Sequence, residues 1–238
     1  MSAPARGQAL DHRDLLRLTK SAALRWLLPA LTGMGKDAHV ALTFDDGPDS
    51  TSTPAFLAVL ERLGWKATFF MIGSMVERSP QLAAEVAAAG HEVASHSYDH
   101  RDQRFRSPRA VRADIERSIE VIADATGQRP RWFRPPYGKL SPAALLTVRR
   151  AGLRTVLWTV SGEDWRPDTT AQEVTARLAR SLQAGPTILL HDSNCMTNAV
   201  TWPSTLAALP LLAELVAERG LSVGPLGDHG VGDQNRSS

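Results

Sequence analysis

Four stretches of this 238-residue chain share one grammar: a hydroxyl residue, a proline, a helical run and a closing glycine. They are "STPAFLAVLERLG" from Thr53-Pro54 to Gly64, "SPQLAAEVAAAG" from Ser79-Pro80 to Gly90, "SPRAVRADIERSIEVIADATG" from Ser107-Pro108 to Gly127, and "SPAALLTVRRAG" from Ser141-Pro142 to Gly152. A hydroxyl oxygen caps free N–H groups of a first turn, proline suits the first helical position, and glycine takes the left-handed conformation that ends a helix. Each stretch therefore predicts a helix. Two further helical patterns lie around 170–183 and 204–219.

Short β-rich runs separate them: "VALTF" at 40–44, "KATFFMI" at 66–72, "HEVASH" at 91–96, "RWFR" at 131–134, "RTVLWTV" at 154–160, "TILLH" at 187–191 and "LSVGPL" at 221–226. Several are apolar on both parities, as expected of parallel strands covered on both faces. Strand and helix alternate about seven times, which predicts an α/β fold with a parallel sheet, open or closed into a barrel.

The polar residues of interest fall at the carboxyl ends of these strands, the edge where sites assemble in parallel α/β folds. Asp45 and Asp46 follow the first run. His96 ends the third, and His100 comes four residues later. "RPPYG" (134–138) follows the fourth, "SGEDW" (161–165) the fifth, and His191 ends the sixth. In "HSYDH", two imidazoles four apart on a helical turn would share one face. With a carboxylate they can hold one face of a divalent ion and leave positions open for water and substrate. Such an ion lowers the pKa of water, and a neighbouring base takes the proton. Two adjacent acids suit the two roles, one on the ion and one receiving the proton. His191 can serve as a general acid because imidazole titrates near neutrality. Asp164 is placed to hold and charge it, and Arg134 to do the same for Asp45.

"TFDDGP" (43–48), "HSYDH" (96–100), "RPPYG" (134–138), "EDW" (163–165) and "LLH" (189–191) resemble, in order, the five motifs of the polysaccharide deacetylase family, the NodB-homology domain or carbohydrate esterase family four. The resemblance implies a distorted (β/α)7 barrel, TIM-barrel-like and in a single domain, that removes acetyl from sugar amides or esters with a divalent metal. By position, Asp45 would be the general base. Asp46, His96 and His100 would bind one divalent ion, zinc first, with cobalt, nickel or manganese as substitutes. Arg134 would orient Asp45, and His191 would protonate the leaving group with Asp164 setting its charge. The backbone N–H of Tyr137 would stabilise the oxyanion. Trp165 and Leu189 would receive the acetyl methyl, with Pro136 also on the substrate side. One position departs: Ser161 stands where the fourth motif often has an Asp. The expected partner is an acetylated carbohydrate, with O-acetyl xylan or a small non-sugar amide as alternative substrates. Two His and one carboxylate also serve non-heme iron oxygenases, but that chemistry needs no base–acid pair such as Asp45 and His191. The intact base, ligand set and acid likewise argue against a catalytically dead glycan-binding module.

A formal net charge of +2 gives no field for nucleic acid. Cys195 is the single cysteine, so no internal disulfide forms; it reads as a free thiol, and His91 as a structural residue. Arg101, Arg104 and Arg106 read as a solvated face. No apolar run reaches the roughly 18 residues of a spanning helix. Residues 1–36 read as an N-terminal helical extension without a clean signal peptide, with peripheral membrane contact through 11–31 as the alternative to packing on the domain. The expected organisation is a catalytic domain over 37–226 and a disordered tail over 227–238, in a monomer that is cytoplasmic or membrane-peripheral.

Overall fold

The computed structural model describes residues 29–35, 38–182, 185–196 and 199–231. The N-terminal membrane-contact expectation therefore falls almost wholly outside the described residues. Among them, no helix is long and apolar enough to cross a membrane.

Among the described residues, eight parallel strands are β1 (His39–Asp45), β2 (Thr68–Met71), β3 (Glu92–Ser95), β4 (Trp132–Phe133), β5 (Arg154–Thr155), β6 (Val160–Ser161), β7 (Thr187–His191) and β8 (Ser222–Gly224). Their order is β5-β4-β3-β2-β1-β7-β6. Strand β1 has three partners: β7 along Ala41–Asp45, β2 at Thr43–Asp45 and β8 at His39–Ala41. Among the described residues, besides a single turn at Pro29–Thr32, the α-helices are α1 (Thr53–Leu63), α2 (Gly73–Arg78), α3 (Pro80–Ala88), α4 (Pro108–Thr126), α5 (Pro142–Arg150), α6 (Ala171–Ser181) and α7 (Trp202–Glu218). This is the expected distorted barrel.

Two sequence expectations are revised. The run 154–160 is broken into two strands. Its first part pairs with β4 and its second with β7, so one bent segment joins the two edges of the sheet. Between them the Leu157 N–H leaves the sheet and donates to the Leu31 carbonyl at 2.9 Å. The hydroxyl caps also divide. Ser107 and Ser141 accept from the N–H groups of Ala110 and Ala144. Ser52, the residue that actually precedes α1, instead donates its hydroxyl to the Asp192 carbonyl, and Ser79 makes no capping bond.

Strand parity sorts the core into two layers. Val40, Leu42 and Phe44 of β1 face outward with Phe69, Met71, Ile188 and Leu190, against α1, α3, α6 and α7. Phe44 packs on Phe56 and Phe69 with ring centroids 5.2 Å apart in both pairs. Burying a side chain of that size contributes about 1.5–3 kcal/mol. The opposite parity fills the barrel with Ala41, Phe70, Ala94, Trp132 and Val156, closed by Leu226 and Val231. Residues 227–231, which composition assigned to the tail, are thus partly packed on the barrel. The Gly227 N–H donates to Glu92 and the Val231 carbonyl accepts from Arg154. They close the N-terminal ends of the strands and leave the carboxyl ends open.

Candidate active site

Asp45 is the last residue of β1 and faces the barrel interior. Asp46 follows at φ 82°, in the left-handed region, and its N–H donates to the Phe70 carbonyl. This reversal of the chain lets two neighbouring carboxylates meet different partners. Asp45 Oδ1 accepts from Arg134 Nη1 at 2.6 Å. Asp46 Oδ1 lies 3.5 Å from His96 Nε2 and 3.3 Å from His100 Nε2, and those two nitrogens are 3.2 Å apart.

Bonds of about 2.0–2.2 Å at tetrahedral angles place donor atoms about 3.3–3.6 Å apart, so this triangle has the dimensions of one face of a metal tetrahedron. The donors suit that use. His96 Nδ1–H donates to the Arg134 carbonyl at 2.8 Å, which leaves the Nε2 lone pair toward Asp46. Burial lowers the His96 pKa to about 3 and, with His96 beside it, that of His100 to about 2, so both rings are neutral. Asp46 Oδ1 is buried with no hydrogen-bond donor among the described residues, the condition of an oxygen that lacks a cation. Burial and the nearby Asp45 raise the Asp46 pKa to about 7, against the pull of His191.

The "HSYDH" segment is not the helical turn expected of its spacing. Residues 96–100 form a loop, with Ser97 and His100 at positive φ (66° and 54°). The loop hangs from Asp114 of α4, whose carboxylate accepts the N–H groups of Tyr98 and Asp99. Tyr137 and Glu163 also have positive φ, so among the described residues five of the six such non-glycine residues belong to site loops. Strain of about 1–3 kcal/mol per residue is retained where the surroundings over-determine the backbone.

Arg134 is fully buried and anchors the centre. Besides Asp45 it donates to Thr43 Oγ1 and the Leu157 carbonyl, and its guanidinium lies 4.0 Å from the Phe70 ring centroid. Burial raises the Asp45 pKa while Arg134 opposes the shift. Across the β1–β7 pair, Asp45 stands in register with His191. His191 Nδ1–H donates to Asp164 Oδ1 at 2.9 Å, and its backbone N–H donates to Oδ2 at 2.8 Å. Burial alone would lower the His191 pKa; the charge and hydrogen bond of Asp164, with Asp46 and Asp45 behind, outweigh it and raise it to about 10. Ser161 Oγ accepts the Glu163 N–H at 3.1 Å, the local turn bond that an Asp at this position could also make.

These groups line a cavity of about 400 Å³ with Tyr137, Gly138, Lys139, Trp158, Trp165, Leu189 and Met196. Trp165 stands edge-on to His191 at 5.5 Å, and Tyr137 to His100 at 4.7 Å. Pro136 is buried in the turn that carries Tyr137 and does not line the cavity; its fixed φ serves that turn. The Cys195 thiol donates to the Asp46 carbonyl at 3.2 Å. His91 is buried away from the site, where its Nδ1 accepts the Ala67 N–H.

Three supports escaped the motif reading. Thr205 of α7 donates to Asp164 Oδ2 at 2.9 Å. Asp192 accepts from the Gly47 N–H and Thr53 Oγ1, and a Cβ on Gly47 would lie 2.3 Å from its carboxylate. Asp114 is the third. Only Asp192 carried a local signal, as an acid directly after His191.

A sequence profile for the family described as Polysaccharide deacetylase matches residues 32–156. The chain is 36% identical over 195 residues to a chitooligosaccharide deacetylase of Bradyrhizobium sp., covering 79% of this chain and 88% of that protein. It is 35% identical over 182 residues to a peptidoglycan-N-acetylglucosamine deacetylase of Listeria monocytogenes, covering 76% of this chain but only 38% of that longer protein. Among solved structures, a family 4 carbohydrate esterase from Streptomyces lividans in complex with acetate superposes with TM-score 0.71 at 33% identity, over 79% of this chain and 93% of that one. A CE4 family pseudoenzyme from Bacillus anthracis superposes with TM-score 0.74 at 27% identity, over 81% and 65%.

Proposed function

The chain belongs to the polysaccharide deacetylase family and is a hydrolytic deacetylase, and we propose that it cleaves the acetamide of an N-acetylated sugar using one divalent ion, zinc first. A pseudoenzyme shares the fold, so the fold alone does not carry this reading. The observation that carries it is the triangle of Asp46, His96 and His100 between a buried carboxylate, Asp45, and a carboxylate-backed imidazole, His191.

Asp46, His96 and His100 would hold the ion, which when bound supplies Lewis acidity and lowers the pKa of water. Asp45 receives the water's proton. Arg134 fixes Oδ1, and Oδ2 lies on the ligand side, 3.6 Å from His96 Nε2. His191 has Nδ1 engaged by Asp164, so Nε2 is the nitrogen that delivers a proton to the leaving group. An amide nitrogen must leave protonated, and an imidazole held in its charged form meets that need. This favours an amide over the O-acetyl ester. Tyr137 closes one wall and offers its N–H to the developing oxyanion. Trp165 and Leu189 form an apolar wall suited to a methyl group.

The test is acetate release from N-acetylglucosamine oligomers, from acetylated xylan and from small acetamides, with elemental analysis of the purified protein. The expected result is release from the oligomers, one divalent ion per chain, and a loss of at least about 100-fold in kcat for Asp45→Asn. Full activity in that variant would overturn the assignment.

A further inference from the structure

Among the described residues, Lys139 is the only lysine or arginine lining the cavity. It directly follows the strained turn at Tyr137 and Gly138, and its Nζ lies 5.1 Å from the Tyr137 ring centroid. Among the described residues, the only hydrogen bond from its Nζ goes to Asp102 Oδ2 at 3.1 Å. That carboxylate is already held on both oxygens by Arg104, through Nε to Oδ1 at 3.1 Å and Nη2 to Oδ2 at 2.9 Å. Nearby, Arg106 spans Asp99 and Asp114, and Arg101, 74% exposed, reaches Asp99 at 3.4 Å. Four cations (Arg101, Arg104, Arg106, Lys139) thus face three carboxylates (Asp99, Asp102, Asp114). Outside the cavity's own Asp45 and Asp46, this tally leaves one positive charge in surplus, and Lys139 is the one ammonium on the cavity wall. A lysine has three N–H donors, and a single carboxylate shared with a bidentate arginine does not use them.

Resting on the deacetylase reading, we infer that Lys139 is a specificity residue that recognises an anionic substituent, carboxylate or phosphate, on the acetylated glycan. A sugar ring lying against Tyr137 brings its substituents within reach of Lys139, while the neutral acetamide enters between Asp45 and His191. A cation at the cavity wall also discriminates by field, attracting acidic chains at low ionic strength.

Acetate release is measured on three N-acetylated oligosaccharides of equal length: neutral, carboxylated on alternate sugars, and phosphorylated. The wild type prefers one or both anionic oligomers, and added salt reduces that preference. Lys139→Gln lowers the anionic-to-neutral ratio of kcat/KM about tenfold, chiefly through KM, and Lys139→Arg restores most of it. The carboxylated and phosphorylated arms identify the anion. An unchanged ratio in Lys139→Gln, or a wild type that prefers the neutral oligomer, overturns the inference and leaves the deacetylase reading standing. A wild type that releases acetate from none of the three overturns both.

Discussion

His91 sits five residues before a candidate metal ligand, yet it behaves as a core residue, and its titration exposes the difference. It is 3% exposed, edge-on to Phe69, and accepts the Ala67 N–H through Nδ1. Burial, with Lys66 adding to it, lowers its pKa from 6.5 to about 4. A histidine whose folded pKa is depressed binds fewer protons folded than unfolded. Its neutral form is accommodated above pH 6.5, and stability falls as pH drops from there toward the folded value. At about pH 4.5 the unfolded ring is protonated and the folded ring mostly is not, so the linkage amounts to about 2.5 kcal/mol at 1.36 kcal/mol per pH unit. Glutamine offers an oxygen to the same N–H and does not titrate. Urea unfolding of the wild type and His91→Gln at neutral pH and at about pH 4.5 measures the difference. Acids common to both proteins cancel. The wild type loses about 2–3 kcal/mol more than the variant on acidification. Equal losses would refute the argument that His91 is buried as a neutral ring.

Arg134 and Asp45 form a buried pair, so deleting one charge leaves the other uncompensated. Arg134→Met and Asp45→Asn each destabilise by about 3–5 kcal/mol, and the double variant by much less than their sum; additive urea midpoints would show that the charges are not coupled. Chelation removes acetate release and zinc restores it, and His100→Ala lowers the bound metal found by elemental analysis to well below one per chain. Asp164→Asn withdraws the charge that holds the His191 proton, so its pKa falls from about 10. The alkaline limb of kcat/KM moves to lower pH in that variant, and a pH profile that does not move argues against His191 as the acid.

The candidate site residues were legible because parallel strands deliver them to one edge. Asp45, His96, Arg134 and His191 each end or follow a run whose apolar pattern reads as a buried strand; the structure brings Asp45, His96 and His191 to one cavity and buries Arg134 directly behind Asp45. What could not be read depends on contacts far apart in sequence. Thr205 reaches Asp164 across 41 residues, and Thr53 reaches Asp192 across 139. The helical turn expected of His96 to His100 failed because Asp114 holds the backbone N–H groups of Tyr98 and Asp99 in a loop, a tertiary bond that outranks spacing. Helix α2, "GSMVER", lacks the proline start of its neighbours and was missed. The break between β5 and β6 follows from barrel closure, which no local pattern records.

The order of strands sets where each residue of the proposed reaction stands. Across the sheet, His96 follows β3, the two aspartates end and follow β1, His191 ends β7, and Asp164 follows β6. Strand β2, between the histidine pair and the aspartates, contributes no side chain to the proposed reaction. Its backbone does the positioning instead: the Phe70 carbonyl holds the Asp46 N–H, the Met71 carbonyl holds the His96 N–H, and the Ile72 N–H donates to the Gly47 carbonyl. With neighbouring strands about 4.8 Å apart, the histidine pair and Asp45 stand about two strand spacings apart at the backbone, and their side chains converge in front of β2. His191 stands one spacing away on the other side. In the proposed reaction a bound amide would therefore be bracketed, with Asp45 toward its carbonyl side and His191 toward its nitrogen side. Asp45 and His191, the proposed base and acid, sit on adjacent strands in register, which fixes their separation by the sheet rather than by a loop.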